Sequence, residues 1–270
     1  GKDYRRASYE VAGTVQNPAY FTEEIAQALK TESMGPNAEM QYRPLGVVAV
    51  ISPWNYPLAM ANNLLLPALV AGNSVVLKPS EETPLVAELF VKTLNKVLPE
   101  GVLQIAQGDA ETGKALVNSE INMVAFTGSL AAGKHIMASA ASGLKRLVME
   151  LGGNDPLIVM ASADIDEAVQ FAVASSFENT GQMCTSTERI YVDERIADEF
   201  EQKVVALARR YRAGAWDQSN ANIGPIVNPK QHEHVLSQLK DAHVKGATFL
   251  LGTHHYELPF IQPTVVTNIT

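Results

Sequence analysis

Only one cysteine, Cys184, occurs in the 270 residues, so the chain can form no internal disulfide. A lone thiol suits a reducing compartment, by default the cytoplasm. Long hydrophobic runs are missing as well. No stretch approaches the roughly 18 apolar residues of a membrane span, and the first residues lack a charged-then-apolar signal pattern. Positive charge is scarce, with 21 Lys and Arg against 29 Asp and Glu and a net charge of −8, which argues against a nucleic-acid surface. Lys145-Arg146 and Arg209-Arg210 are isolated pairs and read as solvated or positional. No metal pattern stands out. His232 and His234 are two apart, a spacing that does not put both rings on one side of a helix, and with His254-His255 they read as solvated surface. His135 and these C-terminal histidines sit in no recognisable hydrolase motif. Internal repeats, low-complexity segments and flexible linkers are all absent.

What is present is a globular composition, 46% hydrophobic, enough to bury a sizeable core in one large domain or two smaller ones. Residues 1–30 read as two helices, with apolar positions at Val11 and Val15, a break at Pro18 and a restart from Thr22 as N-cap. Gly35-Pro36-Asn37 marks a turn inside a polar stretch with strand-like flanks, about 30–44. From Leu45 short apolar runs alternate with helical stretches, the pattern of βαβ units and a mostly parallel sheet. Strands are expected at 46–51, 74–78, 102–106 and 123–126, with a strand-like segment at 146–149. Helices are expected at 58–71, 84–98 and 131–142, with a short one beginning near Glu111. The second part begins near Gly152, with strands at 156–160, 189–192 and 247–251 and helices over 164–178, 196–213 and 229–245. The fold class is therefore α/β: a Rossmann-like, mostly parallel sheet domain over 1–151, then part of a second α/β domain over 152–270.

Within this frame Cys184 falls just past a helix with apolar positions at Ile165, Ala168, Val169, Ala172 and Val173, for which Gly181 is a plausible C-cap, and just before the strand starting at Arg189. A thiol held in such a turn can be aimed at a cleft, although a lone cysteine is more often buried and inert. Asn55, in Pro53-Trp54-Asn55-Tyr56-Pro57, sits past the carboxyl end of the 46–51 strand, where open α/β sheets place ligands. It can donate to an oxyanion without carrying charge, or simply shape a turn between two prolines. Glu150 closes an apolar strand before two glycines, where partial burial would raise its pKa toward a useful range for a base. Read alone it is a solvated or capping residue. Phe126-Thr127-Gly128-Ser129, followed by Gly133, runs from strand through glycine into helix, a turn that lets backbone N–H groups approach a phosphate. It lacks the G-x-G-x-x-G spacing and is weak on its own.

Together these segments form a constellation. Glu150-Leu151-Gly152-Gly153 lies 34 residues before Cys184, itself in Gly181-Gln182-Met183-Cys184. Pro53-Trp54-Asn55, Lys78-Pro79-Ser80-Glu81 and Phe126-Thr127-Gly128-Ser129 precede them in order. With these five motifs the sequence resembles the aldehyde dehydrogenase superfamily over essentially its whole length. The resemblance implies an NAD(P)-dependent oxidoreductase that turns an aldehyde into a carboxylic acid through a cysteine thiohemiacetal and thioester. It implies Cys184 as nucleophile, Asn55 as oxyanion donor beside the cysteine's own N–H, and Glu150 as the base that activates water.

For the dinucleotide the resemblance implies contacts from Ser52, Pro53, Trp54 and Asn55, then Lys78, Ser80, Glu81 and Gly108. It adds the turn Phe126, Thr127, Gly128, Ser129 and Gly133, and finally Glu150, Leu151, Gly152 and Cys184. Lys78 and Glu81 follow a strand expected to neighbour that of Phe126, and in the family they contact the adenosine ribose. A carboxylate at Glu81 accepts ribose hydroxyls and repels a 2′-phosphate, which favours NAD over NADP. The 30–44 segment corresponds to a hairpin that family members use in oligomer contacts, so the full-length protein is expected to be a homo-oligomer. Its partner is a small aldehyde, with no nucleic acid or membrane. The chain reads as a fragment, because the family's Glu-x-Phe-Gly-Pro motif does not follow the Pro263-Thr264-Val265 segment. A non-catalytic remnant that binds dinucleotide without turnover is thus the alternative. Release of the thioester to coenzyme A is a third reading, against which Glu150 argues.

Overall fold

The structure, a computed structural model, describes residues 2–16 and 18–269. These fall into two compact units: a sheet unit, Ser8–Gly152, and a cysteine unit made of Gly1–Ala7 with Gly153–Thr270. The chain opens with α1 (Tyr4–Val15) and α2 (Pro18–Ala28), then the antiparallel hairpin of β1 (Glu32–Gly35) and β2 (Ala38–Met40). A regular alternation follows: β3 (Val47–Ile51), α3 (Ala59–Val70), β4 (Ser74–Lys78), α4 (Pro84–Leu94), β5 (Leu103–Ile105), α5 (Ala110–Asn118), β6 (Met123–Thr127), α6 (Leu130–Ala141) and β7 (Arg146–Glu150). The five strands from β3 onward form a sheet in the order β5-β4-β3-β6-β7, parallel throughout.

The continuous apolar run of β3 is explained by this placement. Val48 and Val50 face one side of the sheet and pack with Ala61 and Leu65 of α3 and Ala87 and Val91 of α4. Ala49 and Ile51 face the other side, against Val117 of α5 and Ile136 of α6. Helices therefore cover both faces, and alternation of polarity has no place in a strand buried on both sides. Val48, Val50, Val75 and Leu77 are almost fully buried, each contributing about 1.5–3 kcal/mol relative to exposure.

Several details depart from the sequence reading. Helix α2 begins at Pro18, which takes the first helical position that proline favours. Thr22 lies inside the helix and donates its hydroxyl to the Ala19 carbonyl at 3.0 Å, so it is no cap. Val11 and Val15 are exposed, and the residue that α1 buries is Glu10. Helix α4 stops at Leu94, where the Asn95 amide donates to the Leu103 carbonyl at 3.1 Å and draws the chain toward β5. Finally, β4 does not adjoin β6, because β3 lies between them.

The cysteine unit contains β8 (Asp155–Val159), α7 (Ile165–Phe177), a short turn over Glu178–Gly181, β9 (Thr187–Val192), α8 (Ala197–Ala208), α9 (Pro229–Val244), β10 (Thr248–Leu251) and β11 (Val265–Thr267). β8 and β9 pair in parallel, β10 and β11 antiparallel. Val169, Ala172 and Val173 of α7 meet Phe200 and Val204 of α8 in the core of this unit. His232, expected at the surface, is buried. Helical period sets it on the face of Val235, Leu236 and Leu239, which are also withdrawn from solvent, while His234 points outward. His254 is partly covered and stacks on His243 with ring centroids 4.0 Å apart. No helix among the described residues is long and apolar enough to cross a membrane.

Candidate active site

Parallel strands bring their carboxyl ends to one side of a sheet, and in the sheet unit those ends carry nearly all the residues singled out above. Ser52, Pro53, Trp54 and Asn55 follow β3; Lys78 ends β4, with Ser80 and Glu81 beyond it; Gly108 follows β5; Phe126 and Thr127 end β6, ahead of Gly128 and Ser129; Glu150 ends β7, ahead of Leu151 and Gly152. From β3 the chain winds outward through β4 to β5, then returns to β6 on the other flank of β3. The reversal lies between β3 and β6, whose ends Ile51 and Phe126 are paired, and crevices at such points hold ligands in open α/β sheets.

The turn after β6 is shaped for close approach. A Cβ on Gly128 would lie 2.5 Å from Cζ of the Phe126 ring, so any other residue there must push that ring aside. The Gly128 N–H donates to the Glu150 carbonyl at 3.0 Å, pinning this turn to the end of β7. Ser129 Oγ accepts from the Ala132 N–H at 3.2 Å and caps α6, whose N-terminal N–H groups and dipole suit an anion. Gly133 serves packing, since a Cβ there would meet Leu151 Cδ2 at 2.7 Å. Beside β3, Ser52 Oγ is buried with no hydrogen-bond partner among the described residues. The buried Lys78 Nζ lies 3.4 Å from the more open Glu81 carboxylate. An orphaned hydroxyl, a sunken ammonium with its carboxylate and a glycine turn at a helix start fit a ligand bearing hydroxyls and phosphates.

Asn55 Oδ1 accepts from the Tyr56 N–H at 3.0 Å, a turn-shaping bond that orients the carboxamide. Glu150 corrects an expectation. It is exposed at the end of an edge strand, without the partial burial expected of it.

Cys184 belongs to the other unit and is exposed. Gly181 is not the C-cap of α7; that position falls on Glu178. Three residues in left-handed conformation follow, Asn179 (φ 48), Thr180 (φ 60) and Gly181 (φ 72). For the β-branched Thr180 this is costly, about 1–3 kcal/mol, and it persists only where the surroundings impose it. They do so through several bonds. Thr180 Oγ1 donates to the Gly224 carbonyl at 2.8 Å. Gln182 Nε2 donates to the Asn179 and Pro225 carbonyls at 3.0 and 3.2 Å, and its Oε1 accepts from the Val227 N–H at 3.0 Å. Ser186 Oγ donates to the Ser175 carbonyl at 3.2 Å. Gly153, three residues past Glu150, lies where a Cβ would come within 2.7 Å of the Cys184 carbonyl oxygen. Nearby on β9, the Glu188 carboxyl is held above its usual range, first by desolvation and then by the Asp155 carboxylate, with Arg189 opposing. Gln182 and Gly153 were legible as motif letters, yet nothing in the sequence marks Gly224–Val227 as the counterpart of Gln182.

Comparison with known proteins adds a family. Residues 1–270 match the aldehyde dehydrogenase family. A mitochondrial aldehyde dehydrogenase of Leishmania tarentolae is 40% identical over 84% of this chain and 47% of its own length. A mitochondrial succinate-semialdehyde dehydrogenase of Oryza sativa is 36% identical over the whole chain and 53% of its own. Among solved structures, Escherichia coli lactaldehyde dehydrogenase superposes with a TM-score of 0.95 at 33% identity, covering all of this chain and 59% of the other. A Bacillus cereus aldehyde dehydrogenase solved as its NAD+ complex gives 0.93 at 32%, covering all of this chain and 57% of the other. The chain spans about half the length of the curated relatives it matches.

Proposed function

The chain belongs to the aldehyde dehydrogenase family, and from that membership we propose that it serves the oxidation of an aldehyde to a carboxylic acid with NAD(P)+. One observation carries this: the only thiol of the chain is exposed on a strained turn that its surroundings hold in place. The Cys184 thiolate adds to the aldehyde carbon, and the Asn55 carboxamide donates to the oxygen that becomes an anion. A nicotinamide dinucleotide, when bound, supplies the hydride acceptor. The carbon remains on Sγ, first as thiohemiacetal and then as thioester. Glu150 takes a proton from the water that attacks the thioester, releasing the acid and returning the thiol.

The proposed division is a dinucleotide-binding part over 1–151 and a partial catalytic part over 152–270; the compact unit Ser8–Gly152 supports it, while Gly1–Ala7 groups with Gly153–Thr270 instead. Support for the cofactor comes from the buried Ser52 Oγ, the Lys78–Glu81 pair and the Gly128–Ser129 turn. Glu81 favours NAD over NADP. The NAD+ complex of the Bacillus cereus relative agrees with a dinucleotide. The hairpin β1–β2, exposed along its length with Met34 64% accessible, supports a homo-oligomer. A chain with one cysteine suits the reducing cytoplasm.

The test uses a panel of aliphatic, aromatic and semialdehyde substrates with NAD+ and NADP+, following absorbance of the reduced nicotinamide beside product acid. Acid and reduced cofactor are expected in equal amounts, both lost in Cys184→Ala. Acid formation that survives this substitution overturns the reading. Dinucleotide binding by calorimetry without turnover of any aldehyde points instead to a chain that holds cofactor and does no chemistry.

A further inference from the structure

Ser186 ties the thiol-bearing turn to α7, and a single side chain, Gln182, makes three of the turn's bonds. Gln182 uses both ends of its carboxamide: Nε2 donates to the Asn179 carbonyl within the turn and to the Pro225 carbonyl outside it, while Oε1 accepts from Val227 N–H. Thr180 adds a bond to the Gly224 carbonyl. Three separate bonds thus reach the four-residue strap Gly224–Val227. The strap is itself fixed, because the Ile226 N–H donates to the Pro259 carbonyl at 2.9 Å and Ile226 is buried. Just beyond it Asn228 caps α9, accepting from the Gln231 N–H at 2.9 Å. Left alone, a segment with Asn179, Thr180 and Gly181 all left-handed would relax toward ordinary backbone.

We propose that Gln182 is a positioning residue that locks the Cys184 turn to the strap Gly224–Val227, so that the strap sets where the nucleophile stands. The inference rests on the assignment of Cys184 as nucleophile, yet the lock can be read without turnover. Only a carboxamide carries both a donor and an acceptor in this shape. Gln182→Glu keeps the length and the acceptor for Val227, but sets a carboxylate against two carbonyl oxygens.

The test is hydrogen exchange by mass spectrometry on peptides spanning residues 178–186, in wild type, Gln182→Glu and Gln182→Ala, each compared with wild type at the same pH. Both variants should exchange at least about tenfold faster in this segment, the scale of a single hydrogen bond lost, with helices α7 and α8 unchanged. For Gln182→Glu the excess should shrink as pH falls through the carboxyl range and a donor returns. Where turnover is measured, kcat should fall while KM stays close to wild type. If Gln182→Ala fails to fold, Thr180→Val, which removes the second arm, must show the same local acceleration. Exchange equal to wild type in residues 178–186, or acceleration spread evenly over the chain, overturns the lock. A protein that oxidises no aldehyde yet shows the local change defeats the proposed activity and leaves the lock standing.

Discussion

At the scale of single residues, the proposed chemistry divides between side chains that the sequence marks and side chains that only geometry explains. Cys184, Glu150 and Asn55 are marked by motif letters and spacing. Their surroundings are a different matter: Glu150 stands in the open, whereas its position before two glycines pointed to partial burial. Gln182 reads as one more letter until its partners Pro225 and Val227, 43 and 45 residues on, are seen. If Glu150 is the base for the water step, Glu150→Gln should slow steady turnover by about 10²–10⁴-fold, the usual scale for a lost general base. The first turnover should persist, so a burst of reduced nicotinamide equal to the enzyme present is expected in rapid mixing. A slow steady rate with no burst would place Glu150 before the thioester.

At the scale of elements, helices and buried strands were legible because their periods follow from burial, and their ends were not. The start of α3 shows why. Leu58 offers no side-chain cap, and the task falls to Glu10, whose carboxylate accepts from the Leu58 and Ala59 N–H groups at 2.8 and 3.1 Å. A cap supplied 48 positions away leaves no local signal. Glu10→Ala should cost about 1–3 kcal/mol in urea unfolding, the range for charge-assisted bonds lost at a partly buried helix start. A change of a few tenths would mean that α3 is capped by other means. The loop after β10 gives a second expectation. His254, stacked on His243 and beside His255, has its pKa held below the usual 6.5 by desolvation first, then by His243, His255 and Lys240. The fold therefore prefers the neutral ring. Its contribution is complete above the ordinary histidine range and is lost as pH falls through the lowered value. In an NMR titration His255→Gln should move the His254 midpoint upward; a midpoint that stays put would leave the shift to desolvation, His243 and Lys240.

At the scale of the whole molecule, the α/β class was legible from alternation of short apolar runs with helical stretches, but strand order was not. Periodicity carries no information about which strand neighbours which, and so β4 was expected beside β6 when β3 stands between them. The correction matters because it puts the reversal of winding at the ends of β3 and β6, where Asn55 and Ser129 follow. If dinucleotide binds there, saturation at about 100 times its Kd should stabilise the protein by about 2.7 kcal/mol and raise Tm in proportion. Ser52→Ala should leave less of that gain, and an unchanged Tm with excess NAD+ and NADP+ would remove the cofactor from the reading.

The central place of β3 also bears on how the chain is made. Its second neighbour pairs 75 residues later, Val48 against Met123, so a polypeptide leaving the ribosome carries one of its most apolar segments with a flank unsatisfied until β6 emerges. Non-local parallel pairing of this kind is slow to form and prone to sticking meanwhile. Chaperone dependence during synthesis should accordingly end once Thr127 has cleared the exit tunnel, and ribosome-bound chains stopped before Met123 should be the ones that clump.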